Sequence, residues 1–274
     1  MIQQIFNVFK EPFMLMGMGG GTIIACLCAY LGLFVHIKKI TFISIALSQV
    51  AALGIAVGWF IGLNPTLCAF IFTMLGIVLF WLPNKNSKIT KESIIGFIYI
   101  VSAALSVILI AKNPIAETRG LNLFSGNLLY LNMNDLLIIG LAAIFICILH
   151  IVFYKEFIFV SFDKETALTT GLRANHIDFL LYLSIGIVIS LTMKTSGIIF
   201  VFGSLIIPPI TALIVAKKAS RIIFLSPIFA LASVVLGFFT SYFFDLPTSA
   251  TVVGFYALNF ILVFTFQSVT PKPK

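Results

Sequence analysis

Charged residues are scarce in this chain of 274 residues. They make up 9% of it, whereas hydrophobic residues make up 61%. A soluble domain normally carries about a quarter charged residues. A water-soluble fold of this size could not bury so much apolar side chain, so the composition excludes a soluble globular protein. The sequence therefore predicts an integral membrane protein solvated by lipid.

Ionisable side chains are almost missing from the apolar runs. The acidic residues lie in predicted loops or at the ends of runs, and His150 is the one histidine inside a run. A lone histidine there is more often hydrogen-bonded to a neighbouring helix than a metal ligand. The motifs H-E-x-x-H, C-x-x-C and G-x-x-x-x-G-K-[ST] are also missing. We therefore expect no catalytic residue, no metal site and no cofactor in this chain, and no ATP hydrolysis by it.

The net charge of +8 does not indicate a nucleic-acid partner, because the basic residues lie mostly in short gaps between apolar runs. Thirteen of the 17 Lys and Arg residues fall on one predicted side of the membrane and four on the other. Cytoplasmic loops carry such an excess of basic residues. This bias predicts an N-terminus outside and a C-terminus in the cytoplasm. The loops assigned to the cytoplasm are 36–40, 83–91, 155–175 and 217–221.

The apolar runs are long enough to cross a membrane as helices, since a span needs roughly 20 apolar residues. They predict an all-α, polytopic membrane protein with about nine transmembrane helices, folded as one membrane domain over residues 1–274. The runs are Phe13 to Val35, Thr41 to Leu63, the Asn64-Pro65 turn to Leu82, Ser93 to Ala111, Leu136 to Tyr154, Ile177 to Met193, Gly197 to Ala216, Ile222 to Phe244 and Thr248 to Phe266.

Small residues and prolines predict details of helix packing. Gly54, Gly58 and Gly62 recur every four residues, and we expect them to form one smooth stripe against which another helix packs closely. Pro208 and Pro209 lie near the middle of a run, where we expect them to break the helix. Such a break is tolerated only where protein or a water-filled cavity covers the freed backbone.

A polar segment from Ser161 to Leu172 connects two of the runs. Ser161 or Asp163 can cap a short helix, Glu165 falls in its first turn, and Gly171 can end it. Two interpretations remain open for this segment. It is either a helix that docks to a partner protein or an ordinary connecting helix.

The same segment resembles a known motif. Residues 165–171, Glu-Thr-Ala-Leu-Thr-Thr-Gly, are similar to the Glu-Ala-Ala…Gly coupling loop of ABC importer permeases. From about Lys38 to Phe264 the chain resembles the zinc, manganese and iron permeases of the ABC-3 type. The similar stretches, in order, are 38–42, 46–49 with Gly54, 92–96, 123–129, 203–209 and 244–247.

The resemblance implies a permease of the type II ABC importer kind in the bacterial cytoplasmic (inner) membrane, importing zinc, manganese or iron. It implies a homodimer or heterodimer of permease subunits, a cytoplasmic ATPase that uses the ATP, and an extracytoplasmic solute-binding protein. Residues 161–172 would be the cytoplasmic coupling helix. The residues that would couple it to the ATPase are Phe162, Asp163, Lys164, Glu165, Ala167 and Gly171.

The chain departs from the family at the positions expected to line the substrate pathway. The family's Asp and His of the second span correspond to Ile45 and Gln49, beside Ser48, and the acid of its Gly-Asp step corresponds to Asn127. Divalent cations bind best to charged carboxylate or imidazole ligands. Three explanations stay open: a heterodimer whose partner supplies ligands, a path without a strong site, or a substrate other than a bare metal ion.

Two other functions compete with a metal permease. One is an ABC importer permease for a metal chelate or a small organic solute. The other is a stand-alone secondary carrier, which would need charged residues inside the membrane to couple ion movement. The scarcity of such residues disfavours the carrier.

Overall fold

The computed structural model of the chain describes residues 12–81, 89–113, 123, 126 and 128–269. Most of these residues are helical, and there is no strand among them. The predicted all-α fold is confirmed. The helices are α1 (Pro12–Ile37), α2 (Thr41–Ile61), α3 (Pro65–Trp81), α4 (Lys91–Ala111), α5 (Met133–Val152), α6 (Tyr154–Phe162), α7 (Lys164–Thr169), α8 (Ala174–Val215), α9 (Ala219–Phe244) and α10 (Thr248–Val269), with a 3-10 turn at Leu128–Tyr130.

Seven of the helices that the structure describes are long and apolar enough to cross a membrane, namely α1, α2, α4, α5, α8, α9 and α10. Helix α3 is apolar but has 17 residues, slightly fewer than the roughly 20 that a bilayer core requires. This count is two below the nine predicted spans, because α3 is short and because the predicted runs Ile177 to Met193 and Gly197 to Ala216 both lie in α8, on either side of Gly197.

Helix α8 is broken at Gly197, so the predicted break at Pro208 and Pro209 is wrong. Gly197 has φ 79° and ψ 162°, whereas both prolines lie inside the helix. Glycine adopts such dihedral angles readily because it has no Cβ. At this break the Ser196 carbonyl lies against Gly126, where an added Cβ would overlap it. Protein backbone therefore covers the carbonyl at the break.

The helix continues through the two prolines, and a neighbouring helix covers the backbone carbonyl that Pro209 frees. Proline has no N–H, so Pro209 leaves the carbonyl of Leu205 without its helical donor. That carbonyl packs against Gly32 of α1, where an added Cβ would overlap it and would also lie 2.7 Å from Pro209 Cγ. The close approach of Gly32 thus shields a carbonyl that would otherwise face lipid.

The chain divides into two compact units, and the single membrane domain stays a prediction. The first unit falls within Met1–Leu33, Phe124–Leu141 and Thr195–Lys274. Polar side chains join its helices: Ser226 Oγ of α9 donates to the Ala29 carbonyl of α1 at 2.8 Å, and Asn259 Nδ2 of α10 donates to Ser233 Oγ of α9 at 2.8 Å. Such bonds contribute about 0.6 kcal/mol each in membrane proteins.

The second unit falls within Phe34–Leu123 and Ala142–Lys194, and glycines bring α2 and α3 together in it. A Cβ at Gly54 would lie 2.7 Å from Ala69 Cα, and one at Gly58 would lie 2.8 Å from Pro65 Cα. Gly62 does not extend this stripe as expected. It ends α2 in the left-handed conformation, with φ 73° and open space around it, because a helix C-terminus favours glycine there.

Replacing Gly32 with alanine should destabilise the protein by about 1–3 kcal/mol, because the new methyl group has to displace the Leu205 carbonyl. We expect a lower midpoint of thermal unfolding for the purified protein in detergent. Gly140→Ala is the matched control, because nothing lies within 4 Å of a Cβ added to Gly140 in α5. If the two variants unfold at the same temperature, the close approach at Gly32 is absent.

Candidate functional site

The polar connection between α5 and α8 contains the short helix predicted from the sequence, and Asp163 caps it. Asp163 accepts hydrogen bonds from the backbone N–H of Thr166 at 2.9 Å and from Thr166 Oγ1 at 2.5 Å. These bonds hold the pKa of Asp163 below its usual range. Ser161, the other candidate cap, is buried instead. Helix α7 therefore begins at Lys164.

Two backbone hydrogen bonds from residues beyond α7 to carbonyls within the helix end it at its C-terminus. The Leu172 N–H donates to the Ala167 carbonyl at 3.2 Å, and the Gly171 N–H donates to the Leu168 carbonyl at 3.3 Å. Gly171 has φ 82°, which a residue with a Cβ adopts only at a cost. Both ends of α7 are therefore fixed by local interactions, so the segment holds its shape without help from a partner.

The two faces of α7 differ in exposure. Ala167 is fully buried against the rest of the chain, whereas Glu165, Thr166, Leu168 and Thr169 are exposed. The Leu168 residue is 46% exposed, and Phe162, just before the helix, is exposed as well. The exposed side chains of Phe162, Glu165 and Leu168 are thus close together in the sequence of this connection. Such a combination of apolar and charged side chains suits contact with another protein.

A buried carboxylate attaches α7 to the start of α8. Lys164 Nζ donates to Asp178 Oδ2 at 2.6 Å, and Lys38 Nζ forms an ion pair with Asp178 Oδ1. Lys38 Nζ also donates to the carbonyl of Val160, in the last turn of α6, at 3.3 Å. A charge this deeply buried is stable only when it is paired.

This charge cluster was not predicted from the sequence, in which Lys38 falls in a basic loop and Asp178 at the end of an apolar run. A signal was present, because Asp178 lies in the second turn of an otherwise apolar run, and buried carboxylates require a partner. Which lysine supplies that partner depends on the tertiary structure.

His150 packs against α6 inside the second unit. Its Nε2 lies 3.2 Å from Ser184 Oγ of α8. Because that hydroxyl donates to the Leu180 carbonyl at 2.9 Å, it accepts from His150 Nε2–H. The His150 ring stacks on Phe157 of α6, with centroids 4.2 Å apart. The prediction that His150 bonds to a neighbouring helix is confirmed.

The positions expected on the substrate pathway lie on α2. Ser48 is buried and its hydroxyl donates to the Ser44 carbonyl at 3.0 Å, while Ile45 is half-buried. Gln49 is buried, and its Oε1 has no hydrogen-bond partner among the residues described. Asn127 lies outside those residues. Within the described part of the chain, no three His, Cys, Asp or Glu side chains come together as a metal site.

Seven apolar helices long enough to cross a membrane, with a capped polar helix between two of them, define a polytopic α-helical membrane protein. The model of the ABC 3 transport family matches residues 10–267. The chain therefore belongs to the ABC 3 transport family.

Named relatives and a solved structure resemble the chain over most of its length. It is 29% identical over 236 residues to the manganese transport system membrane protein MntC of Listeria innocua, covering 86% of this chain and 84% of that protein. It is 28% identical over 243 residues to the high-affinity zinc uptake system membrane protein ZnuB of Haemophilus influenzae, covering 88% and 93%. PsaBC from Streptococcus pneumoniae, solved in complex with Fab, superposes with a TM-score of 0.87 at 26% identity, covering 96% and 95%.

Replacing Asp163 with alanine should accelerate hydrogen exchange of the α7 amides, because the Thr166 N–H loses its acceptor. Asparagine caps helices as well as aspartate does, so Asp163→Asn should keep the exchange slow. Mass spectrometry of peptides covering residues 161–173 measures the difference. Equal exchange in the two variants would show that Asp163 is not the cap.

The cap should also weaken in acid. Because the folded pKa of Asp163 is lowered, its stabilising effect is fully present above the ordinary carboxyl pKa of about 4. The effect is lost as the pH falls through the lowered value. The amides of α7 should therefore open in acid in the native protein, whereas Asp163→Asn, which does not titrate, should show no such transition. An identical acid response in both proteins would contradict this assignment.

Proposed function

We propose that this chain is the membrane-spanning subunit of a bacterial ATP-driven importer of divalent metal ions such as manganese, zinc or iron. The observation that carries the proposal is the family match over residues 10–267. Relatives named for manganese transport and for zinc uptake are 29% and 28% identical to the chain over the aligned residues, which make up most of it. The TM-score of 0.87 shows that the chain has the same fold as PsaBC.

Helix α7 is the contact that we assign to the ATPase subunit. It is preformed by the Asp163 cap and the Gly171 turn, and it exposes Glu165 and Leu168. A helix that keeps its shape under load can transmit the movement of a partner. In this proposal a separate cytoplasmic ATPase hydrolyses the ATP, and its movement reaches the membrane helices through α7.

The rest of the assembly follows the same proposal. Two permease subunits, identical or different, form the transporter, and an extracytoplasmic solute-binding protein delivers the substrate. The charge bias supports the proposal that α7 and Lys38 are cytoplasmic, with the N-terminus outside and the C-terminus inside. Lipid contacts the exposed apolar side chains of the spanning helices.

A metal chelate or a small organic solute is the second candidate substrate. Ile45 offers no ligand atom and Gln49 offers a neutral amide oxygen, whereas divalent cations favour charged ligands. The described residues also contain no cluster of three potential metal ligands. A solute that arrives with its own coordination shell would not need charged side chains in this chain.

Placing a charge on the exposed face of α7 should weaken attachment of the ATPase. We expect Leu168→Asp to reduce the ATPase activity that co-purifies with the tagged chain, on the order of tenfold, because burying an aspartate at an apolar contact costs free energy. Leu246→Asp is the matched control, since Leu246 is also 46% exposed but lies in the turn between α9 and α10. If ATPase activity never co-purifies, or if both variants lose it equally, α7 is not the docking helix.

Uptake into proteoliposomes containing the complete complex distinguishes the substrates. We expect ATP-dependent uptake of radiolabelled manganese, zinc or iron as free ions. Uptake of a chelated metal alone would instead support the second candidate. Uptake of any substrate that persists without ATP would identify a secondary carrier and contradict both importer proposals.

A further inference from the structure

We propose that Asp178 is a positioning residue that transmits movement of α7 to the membrane helices, through an ion pair with Lys164 that opens and closes. This inference rests on the proposed function. Asp178 is the meeting point of three segments in the second unit. Its two carboxylate oxygens pair with lysines from different parts of the chain, Lys38 after α1 and Lys164 at the start of α7.

The two ion pairs differ in burial. The Lys38 and Asp178 side chains are 8% and 7% exposed, respectively, whereas the Lys164 side chain is 40% exposed. Separating two buried charges leaves each of them without solvent, which makes that pair permanent. The Lys164 ammonium remains partly hydrated, so water compensates for much of what it loses when it leaves the carboxylate. The Lys164 pair is therefore the one that can break during a transport cycle.

Lys38 keeps the carboxylate in place when Lys164 leaves. Its ammonium holds Asp178 Oδ1 and also donates to the Val160 carbonyl at the end of α6. With Lys164 absent, the charge of Asp178 is still neutralised by the Lys38 ammonium. The position of the Asp178 carboxylate is thus fixed, and the same ion pair with Lys164 can re-form each time that α7 returns.

The ion pair of Lys164 depends on the position of α7. It is the first residue of the helix, directly after the Asp163 cap. The cap bonds of Asp163 go to Thr166 within the same segment, so they shape α7 without attaching it to α8. Among the described side chains of α7, Lys164 is the one that forms an ion pair with α8.

The test compares three variants in the complete complex, with its ATPase, in proteoliposomes. Lys164→Met removes the ion pair, and Lys164→Arg keeps it. Lys155→Met is the matched control, because Lys155 is an exposed lysine on the neighbouring helix α6. The readout is the amount of radiolabelled metal taken up for each ATP hydrolysed, together with the thermal midpoint of the complex. A merely structural role would change stability without changing this ratio.

We expect Lys164→Met to lower the ratio of uptake to hydrolysis by roughly two- to fivefold, the scale of a partly exposed ion pair. Lys164→Arg and Lys155→Met should retain the native ratio. Hydrogen exchange of peptides covering residues 164–173 should become faster in Lys164→Met by a similar factor, and this difference should shrink in high salt.

An unchanged ratio in Lys164→Met would overturn the inference, as would uptake and hydrolysis falling in proportion. Loss of the ATPase from the Lys164→Met complex would also overturn it, because Lys164 would then act in docking. The proposed function fails in a different way, namely if the native complex shows no ATP-dependent uptake. The two failures are therefore distinguishable.

Discussion

The hydrocarbon core of a bilayer offers no hydrogen-bonding partner, so the chain itself must satisfy each backbone N–H and C=O inside it. This constraint explains where the irregular features of the structure occur. The break at Gly197 is covered by the backbone at Gly126, and the carbonyl freed by Pro209 is covered by Gly32. In both places a glycine permits the approach, because a Cβ would occupy the space that the carbonyl needs. At both sites protein, rather than lipid, lies against the carbonyl.

The same constraint moves charge to the ends of the helices. Among the described residues, Asp135 lies in the first turn of α5, Asp178 in the second turn of α8, and Asp245 just beyond α9. Asp178 is buried nonetheless, and it is stable there because two lysines neutralise it. In a membrane protein, strong and directional contacts can therefore form at the ends of the apolar runs, where a buried ion pair is still possible. The connection that carries α7 lies at such a place.

Features set by local interactions could be predicted from the sequence, and features set by tertiary contacts could not. The apolar runs identified the helices, and Asp163 and Gly171 marked the ends of α7, because caps depend on residues three or four positions apart. The break predicted at Pro208 and Pro209 is wrong, and the carbonyl that Pro209 frees is covered by Gly32, 177 residues earlier in the sequence. The partners of Asp178 were missed for the same reason. Gly62 was misassigned because glycine suits both a packing stripe and a helix C-terminus.

The neutral positions on α2 constrain how the proposed importer could select its substrate. The Gln49 oxygen, which has no donor among the described residues, would hold a divalent cation weakly, since it carries no charge to offset dehydration of the ion. Under the proposed function, tight capture then belongs to the solute-binding protein or to a second, different permease subunit. Weak binding inside the membrane also favours release, because a substrate held by charged ligands must leave them at each cycle. Substrate selection would then take place outside this chain, and coupling to ATP hydrolysis would take place at α7. The described residues of this chain are better suited to coupling.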